Sequence, residues 1–192
     1  MRKTAIVFAL FNELLPVARS LGIPFFKSMQ SQITLDDRNI ALVRSGIGKD
    51  KARRTAEKIV LKFRPEVIIS AGFCGALVDD LKVGDIVASD FSDGKIFCSN
   101  NPLCTYEKKM AAHRQHKAVV VDMESEGVAV IARKYGIDFL VIKAVSDSLK
   151  DDIPKLPFAV LSLPRLIHFK RQADIASKRL SKFLLDYLQE GK

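Results

Sequence analysis

No apolar run in the 192-residue chain approaches the roughly 20 residues that a membrane helix needs, so no membrane partner is expected. Met1-Arg-Lys-Thr passes straight into an apolar stretch without the pattern of a cleavable leader, and a cytoplasmic location is expected. Cysteine is scarce. Cys74, Cys98 and Cys104 are an odd number without metal-ligand spacing, which argues against a disulfide framework and predicts free, buried thiols in a reducing compartment. His113, His116 and His168 show no metal arrangement either. Internal repeats, low-complexity tracts and interdomain linkers are also missing. Acidic residues are outnumbered, leaving a formal net charge of +9. The basic residues cluster in 49–54, 108–117 and 170–182, without interleaved exposed aromatics or a recognisable reading motif. They are assigned to solvated helix faces, and no nucleic-acid partner is expected.

With 48% hydrophobic residues, the chain has enough apolar material for a sizeable core and is expected to be a single domain over residues 1–192. Strand-like runs at Thr4–Leu10, Ile40–Arg44, Val67–Ala71, Asp85–Ser89, Ala118–Val121 and Phe139–Val145 alternate with helical patterns. The helices are expected at Asn12–Leu21, Lys49–Phe63, Glu107–His116, Ser125–Tyr135 and Ala173–Gln189. Such alternation predicts an α/β three-layer sandwich with a mixed, largely parallel central sheet. Ile175, Leu180, Phe183, Leu184, Tyr187 and Leu188 recur at helical spacing, so the last helix should cover one sheet face. Residues 147–164 contain Pro154, Pro157 and Pro164 and are expected to break regular structure as a mobile segment.

Two apolar runs end in acid: Val119-Val-Val-Asp-Met-Glu-Ser125 and Lys143-Ala-Val-Ser-Asp147. In parallel sheets ligands bind beyond the carboxyl ends of strands, so Glu124 and Asp147 are candidates for chemistry. Glu13 follows the first strand in the same way, although Asn12 as an N-cap would make it an ordinary first-turn glutamate. Asp122 and Glu126 read as helix-start acids that complement the dipole. Ser45-Gly-Ile-Gly-Lys49 is a strand-to-helix turn whose amides can approach an anion or water, though it lacks a full phosphate-loop pattern. Ser70-Ala-Gly-Phe-Cys-Gly-Ala-Leu77 places Gly72 and Gly75 where backbone can form a wall, with Phe73 as a stacking surface or as ordinary core. Asp147 could equally cap a loop or helix, and Met123 could be plain core.

Taken in order, the blocks Ala5–Leu14, Ser45–Lys49, Ser70–Leu77 with Leu81–Ser89, Val119–Ser125 and Val141–Asp147 resemble the nucleoside phosphorylase and nucleosidase superfamily. The closest likeness is to methylthioadenosine/S-adenosylhomocysteine and hopanoid-pathway nucleosidases. The resemblance covers nearly the whole chain and implies the nucleoside phosphorylase-like fold. It also implies hydrolysis of the N-glycosidic bond of an adenosine-type nucleoside, without a cofactor or metal, in a homodimer. By the same resemblance Asp147 protonates the departing purine and Glu13 activates water. Glu124 binds the ribose hydroxyls, and Met123, Ser146, Phe73, Gly72, Cys74, Asn101, Ser45 and Gly46 shape the substrate pocket. Phosphorylases of the superfamily carry an arginine and a serine where Ser70 and Phe73 stand, so hydrolysis is expected; Arg44 keeps a phosphate-dependent alternative open, and a noncatalytic nucleoside-binding relative is a third. The chain departs from larger relatives after Ser89-Asp90, where about a quarter of the usual domain looks deleted. Asn100-Asn-Pro-Leu103 then stands roughly where relatives contact the base.

Overall fold

The computed structural model describes residues 2–23, 33–36, 39–91, 93–153 and 163–190. Its elements, in chain order, are β1 (Thr4–Phe8), α1 (Phe11–Ser20), β2 (Ile33–Asp36), β3 (Ile40–Arg44), α2 (Lys49–Phe63), β4 (Val67–Ala76), β5 (Ile86–Ser89), β6 (Ile96–Cys98), α3 (Tyr106–His116), β7 (Val120–Asp122), α4 (Ser125–Tyr135), β8 (Asp138–Asp147) and α5 (Leu163–Glu190). Among the described residues the strands form one eight-stranded sheet in the order β2-β3-β1-β4-β7-β6, with β8 paired to both β4 and β5. Pairs β1–β3, β1–β4, β4–β8 and β6–β7 are parallel, whereas β2–β3, β4–β7 and β5–β8 are antiparallel.

Strand β1 shows why its sequence is continuously apolar rather than alternating. Ile6 and Phe8 join the core under α1 and α5, while Ala5 and Val7 join the core under α2 and α4. Both faces are covered, so every position from Ala5 to Phe8 is apolar. The helices supply the matching stripes: Leu14 and Val17 from α1 with Leu180, Leu184 and Leu188 from α5 on one side, and Ala52, Ala56 and Ile59 from α2 with Val128 and Ile131 from α4 on the other. A three-layer sandwich results, as the element order implies.

Several boundaries differ from expectation. The last helix starts at Leu163, taking in Pro164, because proline is tolerated in a first helical turn where its missing N–H would have no partner. Residues 154–162 of the expected mobile segment lie outside the described residues. Ile175, assigned to the buried stripe, is 42% exposed, and Ala173 and Ala176 take the inward places instead. In α1 the N-cap position falls on Leu10, so Asn12 lies inside the helix rather than capping it.

The site is positioned by β4 and β8, ten residues each, which run side by side from Val67↔Asp138 to Gly75↔Asp147. Their register slips between Cys74 and Gly75, leaving Ser146 as the extra residue on β8. Such a bulge re-aims the next side chain. Here that residue is Asp147, and it stands opposite a glycine: a Cβ on Gly75 would lie 2.8 Å from Asp147 Oδ2.

Candidate active site

Glu13, in the first turn of α1, is 3% exposed. Its Oε2 accepts the N–H groups of Ala9 (3.0 Å) and Leu10 (2.7 Å), and its Oε1 accepts that of Phe73 (2.8 Å). The carboxylate therefore bridges the end of β1 and the middle of β4. Gly72 makes room for it: at φ +148° its absent Cβ would fall 2.7 Å from Glu13 Oε1. Burial pushes the Glu13 carboxyl up to about 7, against the opposing pull of Lys143 and the Leu10 and Phe73 amides. A carboxyl poised near neutrality can take a proton from water.

Glu124 lies just before α4, 7% exposed, and its Oε1 accepts the Gly48 N–H at 2.8 Å. Burial raises its proton affinity, opposed by Lys143. Asp122, at the end of β7, binds Ser125 through the main-chain N–H (2.9 Å) and the hydroxyl, so it does serve the helix start as expected. It also forms a buried ion pair with Lys143 Nζ at 2.9 Å. Although burial resists its charge, Lys143 and Ser125 hold Asp122 below the usual carboxylate range. Lys143 is 1% exposed. Burial alone would lower its proton affinity, but Asp122, Glu124 and Glu13 together raise it, so this ammonium is the shared counter-charge of three acids.

Asp147 closes β8 and is 3% exposed. Its Oδ1 accepts the Ser146 hydroxyl at 2.9 Å and its Oδ2 accepts the Lys109 ammonium at 2.5 Å. Both oxygens thus meet side chains, and the capping alternative has no main-chain amide to support it among the described residues. Burial raises the Asp147 proton affinity, opposed by Lys109 and Ser146.

A cavity of about 150 Å³ brings these groups together, lined by Glu13, Phe73, Cys74, Asn101, Met123, Glu124, Ser146 and Asp147 among others. Eight residues anticipated from sequence therefore meet at one cavity. Ser45 and Gly46 do not line it; Ser45 spends its hydroxyl on the carbonyls of Phe8 (3.1 Å) and Gly46 (2.8 Å). From the same turn, Ile47 lines the cavity and Gly48 binds Glu124. Gly72 acts from behind Glu13. Arg44 is exposed and holds its guanidinium 5.7 Å from the Phe11 ring centroid. Cys74, Cys98 and Cys104 are buried free thiols. No group of acids, histidines and cysteines suited to a metal occurs among the described residues, and none of the described helices is long and apolar enough to cross a membrane.

Sequence reasoning missed Lys109 and Lys143. Lys109 sits in a basic stretch whose lysines look solvated and Lys143 inside an apolar strand run, and the acid each one meets lies 38 or 21 positions away. Only the inward phase of Lys109 beside Ala112 on a polar helix could have pointed to it.

Relatives of known activity share this arrangement of elements. The chain is 25% identical over 193 aligned residues to the 5'-methylthioadenosine/S-adenosylhomocysteine nucleosidase of Buchnera aphidicola, covering 76% of this chain and 78% of that protein. The enzyme of the same name from Staphylococcus aureus is 27% identical over 160 residues, 59% of this chain and 70% of that one. Among solved structures, a Helicobacter pylori 5'-methylthioadenosine/S-adenosylhomocysteine nucleosidase superposes with a TM-score of 0.76 at 19% identity, over 99% of both chains. Helicobacter pylori futalosine hydrolase gives 0.75 at 19% identity, over 98% of both. The profile of the phosphorylase superfamily matches residues 3–91 and 89–189, which together span nearly the whole chain, and the protein therefore belongs to the phosphorylase superfamily.

Proposed function

We propose that the protein is a purine nucleosidase that hydrolyses the N-glycosidic bond of an adenosine-type nucleoside, such as methylthioadenosine, S-adenosylhomocysteine or an adenosyl-hopane-like compound, to free base and sugar. The observation that carries this reading is the convergence of three buried carboxyl groups, Glu13, Glu124 and Asp147, on one cavity. The names of the relatives support the same reaction class.

In this reading Asp147 gives its proton to purine N7 while the glycosidic electron pair leaves with N9. The sugar becomes oxocarbenium-like at its anomeric carbon. Glu124 accepts hydrogen bonds from the ribose hydroxyls, and Met123 packs against the sugar. Glu13 takes the proton of the attacking water, so one water is consumed and both protons are accounted for. Cys74, Phe73 and Asn101 border the base, with Ser146 holding Asp147. Ser70 and Phe73 offer no cation for phosphate, which favours water as nucleophile over phosphorolysis. No cofactor or metal enters any of these steps.

The chain is read as one domain acting as a homodimer in the cytoplasm. Ile47 lines the cavity yet is 49% exposed, which supports a second copy covering its mouth. Sedimentation at micromolar concentration should give a dimer; a fully active monomer would refute that assembly. A panel of adenosine, methylthioadenosine, S-adenosylhomocysteine and inosine tests the activity. Base release from at least one adenosine-type member without phosphate is expected, and release from none, with or without added phosphate, would leave only the noncatalytic alternative.

A further inference from the structure

We propose that Lys109 is a positioning residue of this same site: its buried ammonium locks the Asp147 carboxyl group and the following loop into one unit and governs how readily Asp147 releases its proton to the base. The inference rests on the nucleosidase reading and extends it to a residue outside the strand-end acids.

Helix α3 is polar and mostly exposed, and only Lys109 and Ala112 are buried along it. An apolar side chain would fill that inward place without desolvation, whereas a buried ammonium is costly unless fully partnered. Lys109 is fully partnered. Its Nζ donates to Asp147 Oδ2 at 2.5 Å, to the Ser148 carbonyl at 2.6 Å and to the Asp151 carbonyl at 3.0 Å. Three acceptors match the three N–H bonds of an ammonium.

The consequences fall on Asp147 and its surroundings. With Oδ2 on Lys109, Oδ1 on Ser146 and Gly75 leaving just enough space beside it, the carboxyl group has one orientation. The loop is fixed with it, since Asp151 Oδ2 accepts the Ser148 N–H (2.8 Å) and the Gln172 side-chain amide of α5 (2.9 Å). The ionisable groups around Asp147 are Lys109 from α3, Cys74 from β4, and Asp151 in the loop with His168 of α5 at 3.7 Å from Asp151 Oδ1. Among the described residues, Lys109 alone places a cation in contact. A buried carboxyl without it would hold its proton too tightly to pass on. As the proton moves to N7, the carboxylate left behind already faces an ammonium, so the interaction strengthens along the reaction and lowers the barrier.

The test compares Lys109→Met and Lys109→Gln with the unaltered protein, measuring kcat, KM and the pH profile of kcat on the best nucleoside, with folding checked by thermal melting. The expected result is a fall in kcat of ~10²-fold with KM changed less than about threefold. One limb of the profile should move to higher pH by about one unit or more, as loss of an adjacent cation requires, while the limb owned by Glu13 stays. Folded variants whose limbs do not move would overturn the inference and leave Lys109 a packing residue. If neither neutral variant folds, Lys109→Arg decides: charge kept with altered reach should lower kcat without moving either limb, and a moved limb would refute the role. Absence of base release by the unaltered protein would instead refute the nucleosidase reading itself.

Discussion

Glu13 accepts three main-chain N–H groups and still holds its proton up to about pH 7, because burial outweighs those bonds. In the proposed role of the base that activates water Glu13 must be ionised, so kcat should fall about tenfold per pH unit below that value; a profile flat from pH 5 to 8 would remove Glu13 from the role. Asp147→Asn keeps the size and a hydrogen bond to N7 but carries no transferable proton. A loss of ~10²-fold or more in turnover with nucleoside binding retained is expected, measured by steady-state kinetics beside equilibrium binding. Glu124→Gln should weaken both, since the ribose-hydroxyl contacts proposed for it would exist in ground and transition states alike. These three acids were legible because each follows an apolar strand, where sequence order alone predicts proximity to a ligand crevice. Lys109 and Lys143 were not legible in the same way: nothing local to an inward lysine says which distant carboxylate its ammonium meets.

At the scale of elements, the close crossing of α2 and α4 depends on Gly127, whose Cβ would stand 2.2 Å from the Lys49 carbonyl oxygen. The Gly127→Ala variant should lose about 2 kcal/mol or more of stability, as overpacking against rigid backbone does; chemical denaturation measures it, and an unchanged midpoint would show that the helices part freely. Activity should fall too, because α2 begins beside Gly48 and α4 beside Glu124, which are joined by one hydrogen bond. The long elements were readable from periodicity, with α2, α4 and β3 bounded as expected. Strands β2 and β6 were not. The bulge at Ser146 escaped as well, since register is a property of two strands together.

For the whole molecule, burying acids in one place has a cost that depends on pH. Glu13 binds its proton more tightly when folded than in the unfolded chain, so between its ordinary value of 4.5 and about 7 the folded state holds more protons and stability falls as pH rises. Glu124 and Asp147 shift in the same direction. Thermal stability should therefore be greater near pH 5.5 than at pH 8, with Glu13 alone contributing about 2 kcal/mol over that window; melting curves over that range check the sign, and the opposite slope would contradict it. The fold class and superfamily were legible across the chain because the strand, glycine-turn and acid blocks keep their order. The base end of the cavity was less legible, since Asn101, Pro102 and Leu103 reach it only through the fold. The most direct test of the account is base release from methylthioadenosine in phosphate-free buffer. Water as nucleophile predicts free adenine and free sugar at a rate unchanged by added phosphate; release that requires phosphate and yields the sugar phosphate would contradict it.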